Sequence, residues 1–248
     1  MPTQDLRSWL AEEPFTLTLS SGFFGFFAHA GVLSALTEEG LTPRALSGSS
    51  AGALVSGLWA SGLEVSELRE ALFALRREEF WDPALGLGLL RGELFERRLR
   101  ALLRCERFEE ARAPLRLTAF HCLRLRARVF ERGALAPAIR ASCSFPGLFQ
   151  PVWINGAPYL DGGITDRPGL AGVPAGERVL YHHLRSGSRL RSALGLTELP
   201  RRPNAAALAL GALPRCAPHD LAPGPEAFAA ARERTLRALE EGVVALRG

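Results

Sequence analysis

An α/β layer architecture with a largely parallel central sheet, sandwiched by helices, is the fold class this sequence predicts. Three observations carry that expectation. Short apolar runs alternate along the chain with stretches of helical periodicity. The 248 residues, 47% of them apolar and 23% charged, are enough to bury one large core. No internal repeat and no linker long enough to separate two units interrupts the pattern, so residues 1–248 read as a single domain.

The elements follow in order. Phe15 to Leu19, "FTLTL", reads as a first strand and runs into the glycine-bearing turn "SSGFFG". "FAHAGVLSALTEEG" has helical spacing and ends on Gly40, a C-terminal cap. "RALSG" is a second strand, and "AGALVSGLWASG" opens the next helix. Leu68, Leu72 and Leu75 share one helical face, and Phe95, Leu99 and Leu102 share another. The connection between them, "DPALGLGLLRGE", reads as an ordinary loop, with an apolar groove lining as the alternative. "LRLTAF" and "LRARVF" read as strands, "ALAPAIRASCSF" as a short helix, and "PVWINGAPYLDGG" as a hairpin about Asn155-Gly156. "RVLYHHL" is a late strand; "NAAALALGAL" fits a strand or a helix. From Pro225 a terminal amphipathic helix, about 225–247, places Leu236, Leu239, Val243 and Leu246 on one face.

Charge excludes some functions. The net charge is +4 and the pI about 9.3, and every basic residue is arginine. Most arginines alternate with glutamates, as in "ELREALFALRREEF", the pattern of solvated helix faces rather than of a nucleic-acid footprint. The balance is compatible with mild attraction to an anionic lipid surface. Cys105, Cys122, Cys143 and Cys216 form no CxxC pair and read as free thiols of a reducing compartment. The first 15 residues lack the apolar core of a signal peptide, and no uncharged apolar stretch reaches 18 residues. A cytoplasmic location without a membrane span is the expectation.

The chemistry centres on "ALSGSSAGALVSG". GxSxG fits at Gly48, Ser50 and Gly52, the mark of a serine held on a sharp strand-to-helix turn, although a loop of small residues fits as well. A serine hydroxyl needs a base to attack at neutral pH. A hydrolase triad can be written as Ser50, Asp161 and His182 or His183, but that fold places its nucleophile after several strands and helices, more than precede Leu46 here. The second arrangement gives the proton directly to a carboxylate. "YLDGGITDRPG" suits it, because Gly162 and Gly163 let Asp161 turn sharply towards another loop. Asp166 is the local competitor and reads as a turn cap.

In these residues the chain resembles the patatin-like phospholipase family. The resemblance rests on the first strand and its turn, "AHAGVL" (28–33), "GSSAG" (48–52), "RASCSFPGLFQPV" (140–152) and "DGG" (161–163), in the family's order over roughly residues 15–168. It implies a patatin-like domain and a Ser50–Asp161 dyad, with Asp161 as general base through an acyl-enzyme on a lipid ester. It requires no metal or cofactor. It also implies an oxyanion hole of backbone amides, here at Ser21, Gly22 and Phe23. The family's GGGxRG or GGGxKG becomes "SSGFFGFF", without a cation, and a Phe forced to positive φ would be strained. An acyl or lipid binder with lost turnover is therefore the alternative to a hydrolase.

Phe23, Phe24, Phe26 and Phe27 surround that turn. They either pack the first helix or offer an acyl chain an apolar wall and a lipid surface a foothold. His29 reads as part of the packed helix, and Cys216 with His219 lacks the partners of a metal site.

Overall fold

The computed structural model describes residues 5–184 and 202–241. Helix α1 (Leu6–Glu12) comes first, its N-terminus capped by the Asp5 carboxylate, which accepts from the Ser8 amide. At seven residues with only Leu6 and Leu10 buried, it is too short to show a periodicity in the sequence. Strand β1 (Thr16–Leu19), helix α2 (Phe26–Glu38), strand β2 (Ala45–Ser49) and helix α3 (Ala51–Ala60) then alternate as expected. Helix α4 (Val65–Phe73), strand β3 (Gly88–Leu90) and helix α5 (Glu93–Leu102) lead to strands β4 (Leu115–His121) and β5 (Arg126–Phe130). Helix α6 (Leu135–Ser142), strands β6 (Gly147–Phe149), β7 (Val152–Ile154), β8 (Ala157–Asp161), β9 (Val179–His182) and β10 (Ala205–Leu208), and helix α7 (Gly224–Glu240) complete the described chain.

The central strands explain the apolar runs. Every residue of β1 and of β2 is buried, as it must be in parallel strands covered on both faces. β1 lies parallel between β9 and β2, β10 extends the sheet beyond β9, and β2 lies parallel to β4. The alanine-rich β10 is a strand despite its helical propensity, because Ala205 and Ala206 pair with Val179 and Leu180 and are buried there. The remainder is antiparallel: β5 and β8 on β4, and β7 on β8. The sheet is thus mixed, parallel through five strands and antiparallel at one end. The β7–β8 hairpin turns on Asn155 and Gly156, both at positive φ, +48° and +76°.

Register on β4 positions the site. Leu117 and Thr118 pair with both β2 and β5, and Ala119 to His121 pair with both β5 and β8. A strand has two edges, so β2 and β8 share the edge opposite β5. Ser49 pairs with Thr118 and Asp161 with Ala119, so two antiparallel strands end against consecutive residues of β4. The segments that follow them, at Ser50 and at Gly162, meet by construction.

Two expectations change here. The connection 82–93 is not a plain loop: its end forms β3, which pairs parallel with β6. The Asp82 carboxylate accepts from the amides of Gly92, Glu93 and Leu94 and so caps α5. The terminal helix is described from Gly224 to Glu240 with Leu239 buried, while Val243 and Leu246 lie outside the described residues.

Candidate active site

Ser50 sits between β2 and α3 with φ +54° and ψ −119°, a conformation that side-chain-bearing residues rarely hold. The elbow is possible because of glycine. A Cβ on Gly52 would lie 2.0 Å from the Leu19 carbonyl oxygen, and one on Gly48 would lie 2.6 Å from the Gly52 backbone. The bend aims the Ser50 hydroxyl away from the sheet, where it donates to Asp161 Oδ2 at 2.6 Å. Asp161 comes from the end of β8, is 3% exposed, and accepts from the Gly163 amide through Oδ1 at 2.8 Å. A Cβ on Gly162 would stand 2.1 Å from the Thr118 carbonyl, and one on Gly163 would strike Ser21. The two turns pack with no room for side chains at either.

The end of α6 holds both partners, which the sequence did not reveal. The Ser50 amide donates to Ser142 Oγ at 2.8 Å, and Ser142 Oγ donates to the Thr118 carbonyl at 2.6 Å. The Cys143 thiol donates to the Ser50 carbonyl at 3.1 Å, and the Asp161 amide to the Ser144 carbonyl at 2.9 Å. Burial, with the Asp161 carboxylate adding to it, pushes the Cys143 thiol well above its ordinary range, so it stays protonated and donates. "RASCSFPG" holds these residues, but no local signal reports a contact 92 positions away.

The expected oxyanion turn is only partly available. The Ser21 amide is engaged with the Arg167 carbonyl at 2.7 Å, which removes Ser21 from the donor set. The amides of Gly22 and Phe23 have no partner among the described residues. The Gly25 amide closes the turn onto the Gly22 carbonyl, and the residue driven to positive φ is Phe24, at +52°, not Phe23. Leu184 packs on the turn so tightly that a Cβ on Gly22 or Gly25 would come within 2.4 Å of its Cδ1. The Arg167 guanidinium donates to the Leu184 carbonyl, so Arg167 ties both sides of the turn. The Ala51 amide, first in α3, lies outside the expected turn and has no intrahelical partner, as is general for helix N-terminal amides.

The histidines have partners of their own, and His183 also lines the cavity that holds Ser50. His29 Nε2 donates to the Ser20 carbonyl, which can only accept, so its Nδ1 accepts from His182 Nδ1 at 2.8 Å. Burial holds His29 down to about 4 and His182 well below its ordinary range, with His29 the next contribution to the latter. His183 Nδ1 pairs with the Tyr181 hydroxyl at 2.8 Å. The Ser50 hydroxyl pairs with a carboxylate, so the histidine triad loses its geometry. Asp166 accepts from the Leu170 and Ala171 amides and from Thr118 Oγ1, which makes it the cap of the following turn.

Ser50 and Asp161 open into a cavity of about 950 Å³ walled by Leu54, Leu58, Leu72, Phe95, Leu99 and Phe149. Of the phenylalanine cluster, Phe27 is core, whereas Phe23 is 52% exposed at the cavity mouth. Among the described residues no helix is long and apolar enough to cross a membrane.

The family model described as patatin-like phospholipase matches residues 17–173. An uncharacterised NTE family protein of Mycobacterium tuberculosis is 34% identical over 153 residues, 60% of this chain and 42% of that protein. The lysophospholipase nte1 of Emericella nidulans is 31% identical over 157 residues, 60% of this chain and 10% of that one. The chain therefore spans less than half the length of these curated relatives. VipD from Legionella pneumophila superposes with a TM-score of 0.61 at 14% identity, covering 92% of this chain and 67% of that one, a likeness of fold. The match covers both turns that carry Ser50 and Asp161, and the chain belongs to the patatin-like phospholipase family.

Proposed function

We propose that the chain is a serine hydrolase that cleaves carboxylic ester bonds of phospholipids or other acyl lipids. The observation that carries this reading is the 2.6 Å hydrogen bond from the Ser50 hydroxyl to Asp161. In the proposed cycle Asp161 takes the Ser50 proton as Oγ attacks the ester carbonyl. The Gly22, Phe23 and Ala51 amides receive the oxyanion at the positive end of α3. The alcohol leaves with the proton from Asp161, and water, deprotonated by the same carboxylate, releases the acid and restores Ser50. The family match and the lysophospholipase relative support a lipid ester, as does the apolar cavity beside the serine. A cytoplasmic setting fits the four free thiols.

A second reading, an acyl binder with little turnover, is favoured by two observations: the Ser21 amide is occupied and the turn carries no cation. Hydrolysis of p-nitrophenyl butyrate separates the two. Wild type turns over, and Ser50→Ala and Asp161→Asn each lose on the order of 1000-fold or more in kcat with unchanged circular dichroism. Full activity in either variant removes the dyad, and an inactive wild type leaves the binder.

A further inference from the structure

The ribbon before α5 exposes three leucines in alternation with glycine. Leu85 is fully exposed, Leu87 is 83% exposed and Leu89 is 49% exposed, while Leu90 turns inward against Phe80 and Phe149. Single exposed leucines are ordinary; three on one short ribbon form a patch. The patch is continuous with the cavity mouth. In the register of β3 on β6, Leu89 stands opposite Leu148, which lines the cavity, and the Leu85 carbonyl accepts from the Gln150 side chain. From β6 the surface passes to Phe145, whose ring lies 5.2 Å from Phe23, both well exposed, and to exposed Ile164 beside the Asp161 turn.

Charge around this surface points to its occupant. Residues 14–37 and 141–160, which supply Phe23, Phe145 and β6, contain no Asp, Glu or Arg. The sole acid between Glu79 and Glu93 is Asp82, whose oxygens are bound to three amides at the start of α5. Arg91 ends the ribbon, exposed and outside every ion pair among the described residues, and Arg77 lies 3.7 Å over the Trp81 ring at its base. Apolar side chains flanked by arginine and indole, on a ribbon whose own carboxylate is engaged with amides, match the boundary of an anionic bilayer, and the exposed Glu78 and Glu93 lie just outside the ribbon beside Arg77 and Arg91.

We propose that Leu85, Leu87 and Leu89, with Phe23, Phe145 and Ile164, seat the chain on an anionic phospholipid surface and turn the cavity mouth towards it. The inference rests on the lipid-hydrolase reading, since a lipid-borne ester must be drawn from an aggregate to reach Ser50. The test is flotation with phosphatidylcholine vesicles containing phosphatidylglycerol. Wild type and Ser50→Ala float equally, and the triple variant Leu85→Ser/Leu87→Ser/Leu89→Ser partitions at least about tenfold less, because each inserted leucine contributes apolar burial. The triple variant keeps wild-type hydrolysis of soluble p-nitrophenyl butyrate and loses it on vesicles, and Leu87→Phe floats like wild type. Equal flotation of the triple variant and wild type overturns the proposal. So does a wild-type dimer that the triple variant dissolves without either protein floating, which would assign the patch to a second copy. Leucine-dependent flotation with no hydrolysis of any ester would overturn the catalytic reading alone.

Discussion

At the scale of single residues, the site depends on Ser50 holding φ +54°. Such a conformation costs a side-chain-bearing residue about 1–3 kcal/mol, and glycine escapes most of that cost. Ser50→Gly and Ser50→Ala both remove the hydroxyl and its bond to Asp161, so their difference isolates the strain. Ser50→Gly should therefore unfold about 2–6 °C above Ser50→Ala in thermal scans, with both inactive. Equal melting temperatures would mean that the elbow is relaxed. Ser142 tests the supporting contacts. Its hydroxyl joins the Ser50 amide to the Thr118 carbonyl, and Ser142→Ala leaves both polar groups unpaired, at about 1–3 kcal/mol in stability. If the hydroxyl also fixes the direction of Ser50 Oγ, kcat falls about 10- to 100-fold while KM changes little, and Ser142→Thr restores part of kcat. A loss confined to KM would make Ser142 a structural residue only.

At the scale of elements, two turns and one pair of histidines do most of the positioning. GxSxG and DGG were legible because each needs glycine for a steric reason: backbone oxygens stand where a Cβ would be at Gly52 and Gly162. The oxyanion turn was less legible. Its amides are independent of side-chain identity, so no residue type announced that Arg167 would occupy the Ser21 amide or that Phe24 would take the positive φ. The His29–His182 contact, which ties α2 to β9 behind that turn, spans 153 positions and was equally silent. Both histidines are neutral in the folded protein and take up protons at about pH 6.5 when unfolded. Their folded values are depressed, so their contribution is full above the unfolded value and declines as pH falls from about 6.5 towards 4. Unfolding free energy should thus drop by about 4 kcal/mol between pH 7 and pH 5, before most carboxylates titrate. A denaturant midpoint that is flat over this interval would contradict a neutral buried pair.

At the scale of the whole molecule, composition and alternating patterns were sufficient for an α/β domain, since fully buried strands must read as apolar runs and their covering helices as periodic ones. What they could not show is the order of strands. β3 and β6, three residues each, carry no alternation long enough to recognise, and the antiparallel end of the sheet arises from hairpins whose partners are chosen by packing. The decisive feature is likewise a matter of topology: β2 and β8 share one edge of β4, and a hydroxyl and a carboxylate 111 positions apart become neighbours. That meeting is tested most directly by mass spectrometry after exposure to a fluorophosphonate. A single adduct is expected, on Ser50, formed at least about 100-fold more slowly in Asp161→Asn. Absence of an adduct on the folded wild type, or labelling of Asp161→Asn at the wild-type rate, would contradict it.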